Sequence, residues 1–493
     1  MKAYKASILH LRSRCIFNTL QLIWRSFIID TLMRNILTLF FLVPFFGIVT
    51  AQEQLLIIDS INVSGNEKTK TSIVLRELDV QVGDSVSAKN INDIIEQNRL
   101  LLVSTGLFSK VIITTTNQDN HLIIHIQLEE SWYLYPYLNI SFGDRNFNIW
   151  QQNNYALNRL NYTFQVVHRN LTGRRDLLKS YLQIGYEPKF QTTYELPYFN
   201  QNKTLGFRGD IFYAQAKEWG LNTNADTLNL VKYQDAVVIR RLRFTAGLRF
   251  QQGVFSRHEV ELRFHRHEIA DFAADFNPDF FLNGNTLQRY FALRYQFTTD
   301  YRDFKPYPEK GYFFSAVIQK EGFGIFKVLN NLTIEPQYAY YQPLGEKLSF
   351  EVNVRGKMSL IRTQQPYFNS RSIGYRPNNM RGYEYYVVDG LDYFLQQTIL
   401  RYQWFDKNLG INKKNPDKTR QSFPLKIYST IYQDNAYVNN PFYNNGNDFA
   451  NRHLWSFGTS LDFVIYNDFV LKLEYTWNHI LENDLYIHFA LPF

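Results

Sequence analysis

FVLKLEYTW, residues 469–477, sets Phe469, Leu471, Leu473, Tyr475 and Trp477 on one side of an extended chain, with Lys472, Glu474 and Thr476 on the other. Successive side chains of a strand point to opposite faces, so this segment has one wholly apolar face and one charged face. A half-buried sheet in water could contain one such strand, but here the pattern recurs. Trp455, Phe457, Leu461 and Phe463 stand opposite Ser456, Gly458, Ser460 and Asp462. Phe291, Leu293, Tyr295 and Phe297 stand opposite Arg294 and Gln296, and Val260, Leu262 and Phe264 opposite Glu259, Glu261, Arg263 and His265. From Tyr135 onward, segments of about ten residues alternate in this way between Asn, Asp, Gly and Pro, the pattern of a membrane β-barrel with lipid outside and water inside.

The strands begin near residues 134, 160, 176, 190, 205, 238, 256, 287, 311, 330, 347, 391, 424, 453, 467 and 484. That is about sixteen, an even number as in single-chain bacterial barrels. The expected fold is a 16-stranded antiparallel transmembrane β-barrel, whose closure pairs every backbone group in lipid. Composition agrees: 41 Phe and 34 Tyr bring aromatics to 17% at a mean hydropathy of only −0.32, as alternating strands and aromatic girdles require.

The chain has 493 residues and a net charge of +8. Lys2, Lys5, Arg12, Arg14, Arg25 and Arg34 stand against Asp30 in the first 51 residues, so the balance without them is +3. That is no basis for a nucleic-acid partner, which calls for a clustered basic face. The apolar run 36–49 follows Arg34 and ends in Val49-Thr50-Ala51, which reads as a secretory signal peptide cut before Gln52. Residues 1–51 are therefore expected to be leader, with Met33 as the true start. The sole cysteine, Cys15, lies there, so the mature chain would hold no disulfide and no thiolate metal site.

Residues 52–131 read as a separate small α+β domain and 132–493 as the barrel. Within the first, 55–63 is a β-rich run ending in Ser64-Gly65-Asn66, and 69–78 carries Ile73, Leu75 and Leu78 at helical spacing. A second helical segment, 87–103, repeats that spacing, and strands are expected at 108–116 and 121–129 around the polar turn 117–120. This order of strand, helix, helix, strand, strand resembles a polypeptide-transport-associated (POTRA) domain. So do Val63-Ser64-Gly65-Asn66 before Lys68-Thr69-Lys70, the pair Gly83-Asp84, and Gly106-Leu107-Phe108. The resemblance implies a domain that binds an extended client by adding it to a free strand edge.

The chain ends on an alternating strand, with Leu485, Ile487, Phe489, Leu491 and Phe493 on one face. That ending resembles the carboxy-terminal signal by which outer-membrane barrels are assembled. Pro492 departs from it by removing one ladder donor, and suits a weak seam between the first and last strands.

Three further stretches are similar to motifs of the BamA/TamA outer-membrane assembly family. They are Asn170-Leu171-Thr172-Gly173-Arg174, the turn from Asp300-Tyr301-Arg302-Asp303 through Pro308 to Lys310-Gly311, and Met380-Arg381-Gly382-Tyr383. The resemblance implies that Arg381 points from the sixth loop into the lumen and clamps Asp434 on the wall. A guanidinium stays charged and can grip a carboxylate with two parallel hydrogen bonds. Ile399 falls where the family has a second acidic partner, so the clamp is expected to be single. Gly382 and Tyr383 complete this internal lock, and Gly382 lets the loop backbone come close to the wall.

No Gly-x-Ser-x-Gly elbow, phosphate-binding glycine loop or His-Glu-x-x-His motif occurs, so no catalytic residues, cofactor or metal are expected. His265 and His267 share a strand face but lack an evident third ligand. The resemblance implies a non-enzymatic insertion or translocation factor in the outer membrane of a Gram-negative bacterium, its POTRA-like domain in the periplasm. Its partners would be outer-membrane lipids, unfolded outer-membrane proteins and periplasmic or lipoprotein accessory factors. The alternatives are a passive pore or structural barrel, and a lumenal hydrolase.

Overall fold

The computed structural model describes residues 54–326, 329–410, 422–466 and 469–490. The leader and signal-peptide reading, and Leu491, Pro492 and Phe493, lie outside the described residues.

Sixteen strands form one sheet in which each pairs with its neighbour in the chain. They run from Leu134–Phe142 to Asn483–Ala490, every pair antiparallel, and each begins within two residues of the sequence expectation. Burial separates the two faces. Val260 and Leu262 are exposed on the outside, while Glu259 and Glu261, which alternate with them, are buried within. Leu138, Ile140, Phe164, Leu248 and Ile431 continue the exposed apolar band, which only hydrocarbon can cover without cost, at about 25 cal/mol per Å². The inward charges find partners across neighbouring strands: Arg243 donates to Asp210 at 2.9 Å and Arg249 to Glu259 at 2.7 Å.

The sheet differs from the expectation in one respect. Among the described residues, Leu134–Phe142 pairs only with Leu160–Arg169, and Asn483–Ala490 only with Phe469–Asn478. The first and last strands share no ladder. A short helix, Phe147–Gln152, stands at the last strand instead. Asn148 accepts from the Ile487 N–H through Oδ1 at 3.0 Å and donates to the Ile487 carbonyl through Nδ2 at 3.3 Å. Phe147 meets Phe489 edge-on at 5.4 Å. One side-chain amide thus does the work of one residue of a missing strand, satisfying a donor and an acceptor that lipid could not.

The N-terminal domain is a four-stranded sheet in the order Ser85–Ser87, Leu55–Ser64, His121–Glu130, Phe108–Gln118. Helices Thr71–Glu77 and Ile91–Ser104 contribute Ile73, Val74 and Leu102 to a core with Leu56, Ile58, Ile124 and Ile126. The short strand Ser85–Ser87 carries only one buried residue, Val86, too weak a pattern to be read from sequence. Among the described residues, Phe108–Gln118 pairs on one side only, which leaves a free edge of 11 residues.

The domain rests on the barrel through the turn at 170–176. The Gly173 carbonyl accepts from the Lys70 N–H at 3.0 Å, and Asn170 donates to Thr69 Oγ1 at 2.8 Å. Gly173 has φ +77°, and a Cβ there would run into the Lys68 carbonyl oxygen. The glycine of this motif is therefore what lets the domain come so close. Buried Glu77 adds an ionic contact with Arg175 at 3.4 Å and Lys203 at 3.1 Å, both from barrel turns, and with its neighbour Arg76.

Burial pushes the Glu77 carboxyl up, but Arg175, Lys203 and Arg76 outweigh it and hold the group below its ordinary value. A carboxyl with a lowered pKa in the docked state contributes fully above about pH 4.3, and the contribution is lost as pH falls through the lowered value. Energy transfer between a dye on the domain and one on the barrel should hold steady from neutral pH down to that point and fall below it. Glu77→Gln should lower it already at neutral pH; equal transfer in the variant and the parent protein would show that the ionic contact does not hold the domain.

Candidate functional site

The sixth loop, residues 360–391, joins strands Leu348–Ser359 and Asp392–Gly410 and folds back into the lumen. Its tip is buried. Met380 and Tyr383 pack in a cluster with Ile373, Val388, Leu395, Ala436, Val438 and Phe449, so the loop carries its own apolar core to the barrel wall.

Asp434 is fully buried on strand Ser422–Asn439, and Arg381 is 9% exposed. Arg381 gives Asp434 three hydrogen bonds: from its backbone N–H at 3.1 Å, from Nε at 3.0 Å, and from Nη2 to the other carboxylate oxygen. The guanidinium carbon lies 3.9 Å from the centre of the Tyr432 ring. Gln397 donates a fourth bond to Asp434 at 3.0 Å. Register explains this, since Gln397 stands directly opposite Asp434 and Ile399 opposite Tyr432. The second wall contact comes from an amide two residues before Ile399.

Gly382 has φ +78°, and a Cβ there would lie 2.8 Å from Thr476 Cγ2. Its carbonyl accepts from Asn478 Nδ2 at 3.1 Å. The Tyr383 hydroxyl donates to the Trp455 carbonyl at 3.0 Å and shares a hydrogen bond with His479 Nδ1 at 2.6 Å. The loop is thus held by strands Ser422–Asn439, His453–Ile465 and Phe469–Asn478 and by the hairpin end that follows them.

It also reaches the other end of the sheet. Arg145, just past the first strand, donates to the carbonyls of Gly374 at 2.7 Å and of Tyr385 and Tyr386 at 3.1 Å. Asn146 donates to the Glu384 carbonyl at 2.8 Å. From the last strand, Asp484 accepts from the Tyr385 hydroxyl at 3.1 Å. Where the two end strands do not pair, the sixth loop bridges them. None of Arg145, Asn146, Asn148 or Gln397 was legible in advance, because polar residues in loops and on lumen faces carry no periodic signal.

The turn at 301–310 rises into the same lumen. Tyr307 is buried and donates to Asp462 at 2.7 Å, while Arg401 pairs with Glu351 and donates to the Pro308 carbonyl at 3.1 Å. Between this turn and the loop lies a cavity of about 330 Å³ lined by Arg381, Glu384, Glu474 and His488 among others.

Of the terminal residues expected to share a face, Leu485 and Phe489 are exposed and Ile487 is half-buried. His265 stacks on Tyr290 at 4.6 Å and His267 packs on Phe368 at 4.9 Å.

The POTRA family (surface antigen variable number repeat) matches residues 56–131, and the Omp85 superfamily domain matches residues 170–461, more than half of the chain. The chain belongs to the Omp85 superfamily. Its barrel is therefore an outer-membrane barrel, and its general activity is insertion or translocation at that membrane. The structure is similar to BamA from Haemophilus ducreyi lacking POTRA domains 1–3, with a TM-score of 0.64 at 14% identity over 88% of this chain and 84% of that one. CdiB from Escherichia coli gives a TM-score of 0.51 at 9% identity over 88% and 75%. These likenesses are of fold. Among curated proteins, none matches this Omp85 chain in sequence.

Proposed function

We propose that this Omp85 protein inserts or assembles client β-strands in the outer membrane, in the manner of BamA and TamA, by opening the seam between its first and last strands. The observation that carries the reading is the outer edge of the last strand, which has no ladder: among the described residues, the Ile487 N–H and carbonyl on that edge bond to the side chain of Asn148. A side-chain amide is exchanged more readily than a ladder, because a client strand offers the same donor and acceptor at many successive residues. The free edge of Phe108–Gln118, on a domain placed in the periplasm, supplies a first point of capture.

Arg381, Gly382, Tyr383 and Asp434 act as an internal lock that keeps the sixth loop across the seam while the strands part. Lipids, unfolded outer-membrane proteins and periplasmic or lipoprotein factors are its partners, and no step involves covalent chemistry. The plugged lumen disfavours a passive pore. Depleting the protein in its host and quantifying outer-membrane proteins tests the reading. Loss of many barrels is the result expected of a general factor and loss of one or two that of a dedicated one, whereas an unchanged set of barrels would overturn it.

A further inference from the structure

Three ionisable side chains meet where the sixth loop crosses the last two strands. Glu384 follows Tyr383 in the loop, Glu474 lies on Phe469–Asn478 and His488 on Asn483–Ala490. His488 Nε2 stands 3.2 Å from Glu384 Oε1 and 3.3 Å from Glu474 Oε2, and the two glutamate side chains are 4% and 3% exposed. One ligand atom from each of the three lies within 4.8 Å of the others.

The cluster is not satisfied from within. Among the described residues, buried Glu384 Oε2 has no hydrogen-bond partner and buried Glu474 Oε2 has only the 3.3 Å approach of His488 Nε2, and an unpaired buried carboxylate oxygen is costly. A protonated imidazole does not settle this, since Nε2 carries one hydrogen and faces two carboxylates. The nearest cations are engaged elsewhere: Arg381 by Asp434, and Lys472 by Asp462 at 3.8 Å. Two carboxylates therefore share one imidazole.

We propose that Glu384, Glu474 and His488 bind one zinc-class divalent cation. Ligands at about 2.1 Å from a tetrahedral zinc lie roughly 3.4 Å apart, close to the two separations seen. A nitrogen donor beside two carboxylates suits zinc and its first-row neighbours and disfavours magnesium and calcium, which take oxygen donors. The adjoining cavity, lined by all three residues, gives the ion an entry path and room for a water as fourth ligand. Because the ligands come from the sixth loop and the last two strands, the ion cross-links them.

The test uses the full chain, folded in detergent and stripped with a chelator, titrated with Zn²⁺ alone and with Co²⁺ as a coloured substitute. The expected result is one equivalent bound, with Co²⁺ absorption bands of nitrogen and oxygen ligation that Zn²⁺ abolishes. Glu474→Gln and His488→Gln should each weaken Zn²⁺ binding by more than the roughly 10–100-fold typical of losing an outer-shell partner. His121→Gln, which removes an exposed histidine of the N-terminal domain, should leave it unchanged. Zn²⁺ should also raise the unfolding temperature of the parent protein and not that of Glu474→Gln, since only the folded state presents the site. Binding that survives both site substitutions overturns the proposal, and so does the absence of cobalt bands in the parent protein, an outcome that does not depend on any variant folding.

Discussion

Arg381→Ala is expected to release the sixth loop from the wall without dismantling the barrel. The substitution strands Asp434, which is fully buried, with Gln397 as its one remaining side-chain donor. Removing one partner of a buried ion pair costs about 3–5 kcal/mol, most of it the penalty of the charge left behind. The loss falls on the loop, because the sixteen-strand ladder does not pass through Arg381. Limited proteolysis should therefore cut between 360 and 391 in the variant and not in the parent protein, while both keep the heat-modifiable gel mobility of a folded barrel. Client insertion into liposomes should drop roughly tenfold or more, equivalent to at least about 1.4 kcal/mol in the barrier.

Two companion variants separate charge from position. Arg381→Lys keeps the charge and loses the two-pronged grip and the stacking on Tyr432, so it should fall between the parent protein and Arg381→Ala. The pair Arg381→Met with Asp434→Leu removes both charges and should recover most of the stability, since apolar replacement of a buried pair is often neutral. If that double variant also recovers insertion, the pair serves only to hold the loop. A loop equally resistant to protease in Arg381→Ala and the parent protein would remove the lock from the mechanism.

The barrel was legible because lipid imposes a strict two-residue period on every strand, and a sixteen-fold repetition of a weak signal fixes the starts closely. The Arg381 and Asp434 juxtaposition was legible only through a family resemblance, since 53 residues separate them and no local pattern links them. The bond from Gln397 to Asp434 was not legible because a sequence gives no register; the ladder sets Gln397 opposite Asp434 and Ile399 opposite Tyr432. Closure of the sheet was expected from backbone satisfaction alone. At the seam a side chain meets it for one residue, Ile487: Asn148 on a six-residue helix, too short to announce itself by periodicity. The cluster of Glu384, Glu474 and His488 was invisible for the same reason, being assembled from three segments that only the folded barrel brings together.

Joining the two ends of the sheet covalently should stop insertion altogether if the seam is the route. Phe147 and Phe489 face each other across it with ring centres 5.4 Å apart, so Phe147→Cys with Phe489→Cys can be bridged by a short bifunctional thiol reagent. Cys15 is the chain's sole native cysteine, so with Cys15→Ser the double variant carries only the engineered pair. With a cleavable linker, activity should fall on bridging and return on cleavage, which excludes misfolding as the cause. Asn148→Ala should act in the opposite sense. It leaves the Ile487 N–H and carbonyl unpaired at a cost of about 1–3 kcal/mol each, so the last strand should exchange its amide hydrogens faster while the inner strands do not. A seam poised to open gives up stability at Ile487 and gains access for a client strand, so the same variant should insert clients at least as fast as the parent protein. Undiminished insertion by the bridged protein would place the route elsewhere, through the lumen or over the outer surface of the barrel, and Asn148 would then be only the stopper of an unpaired edge.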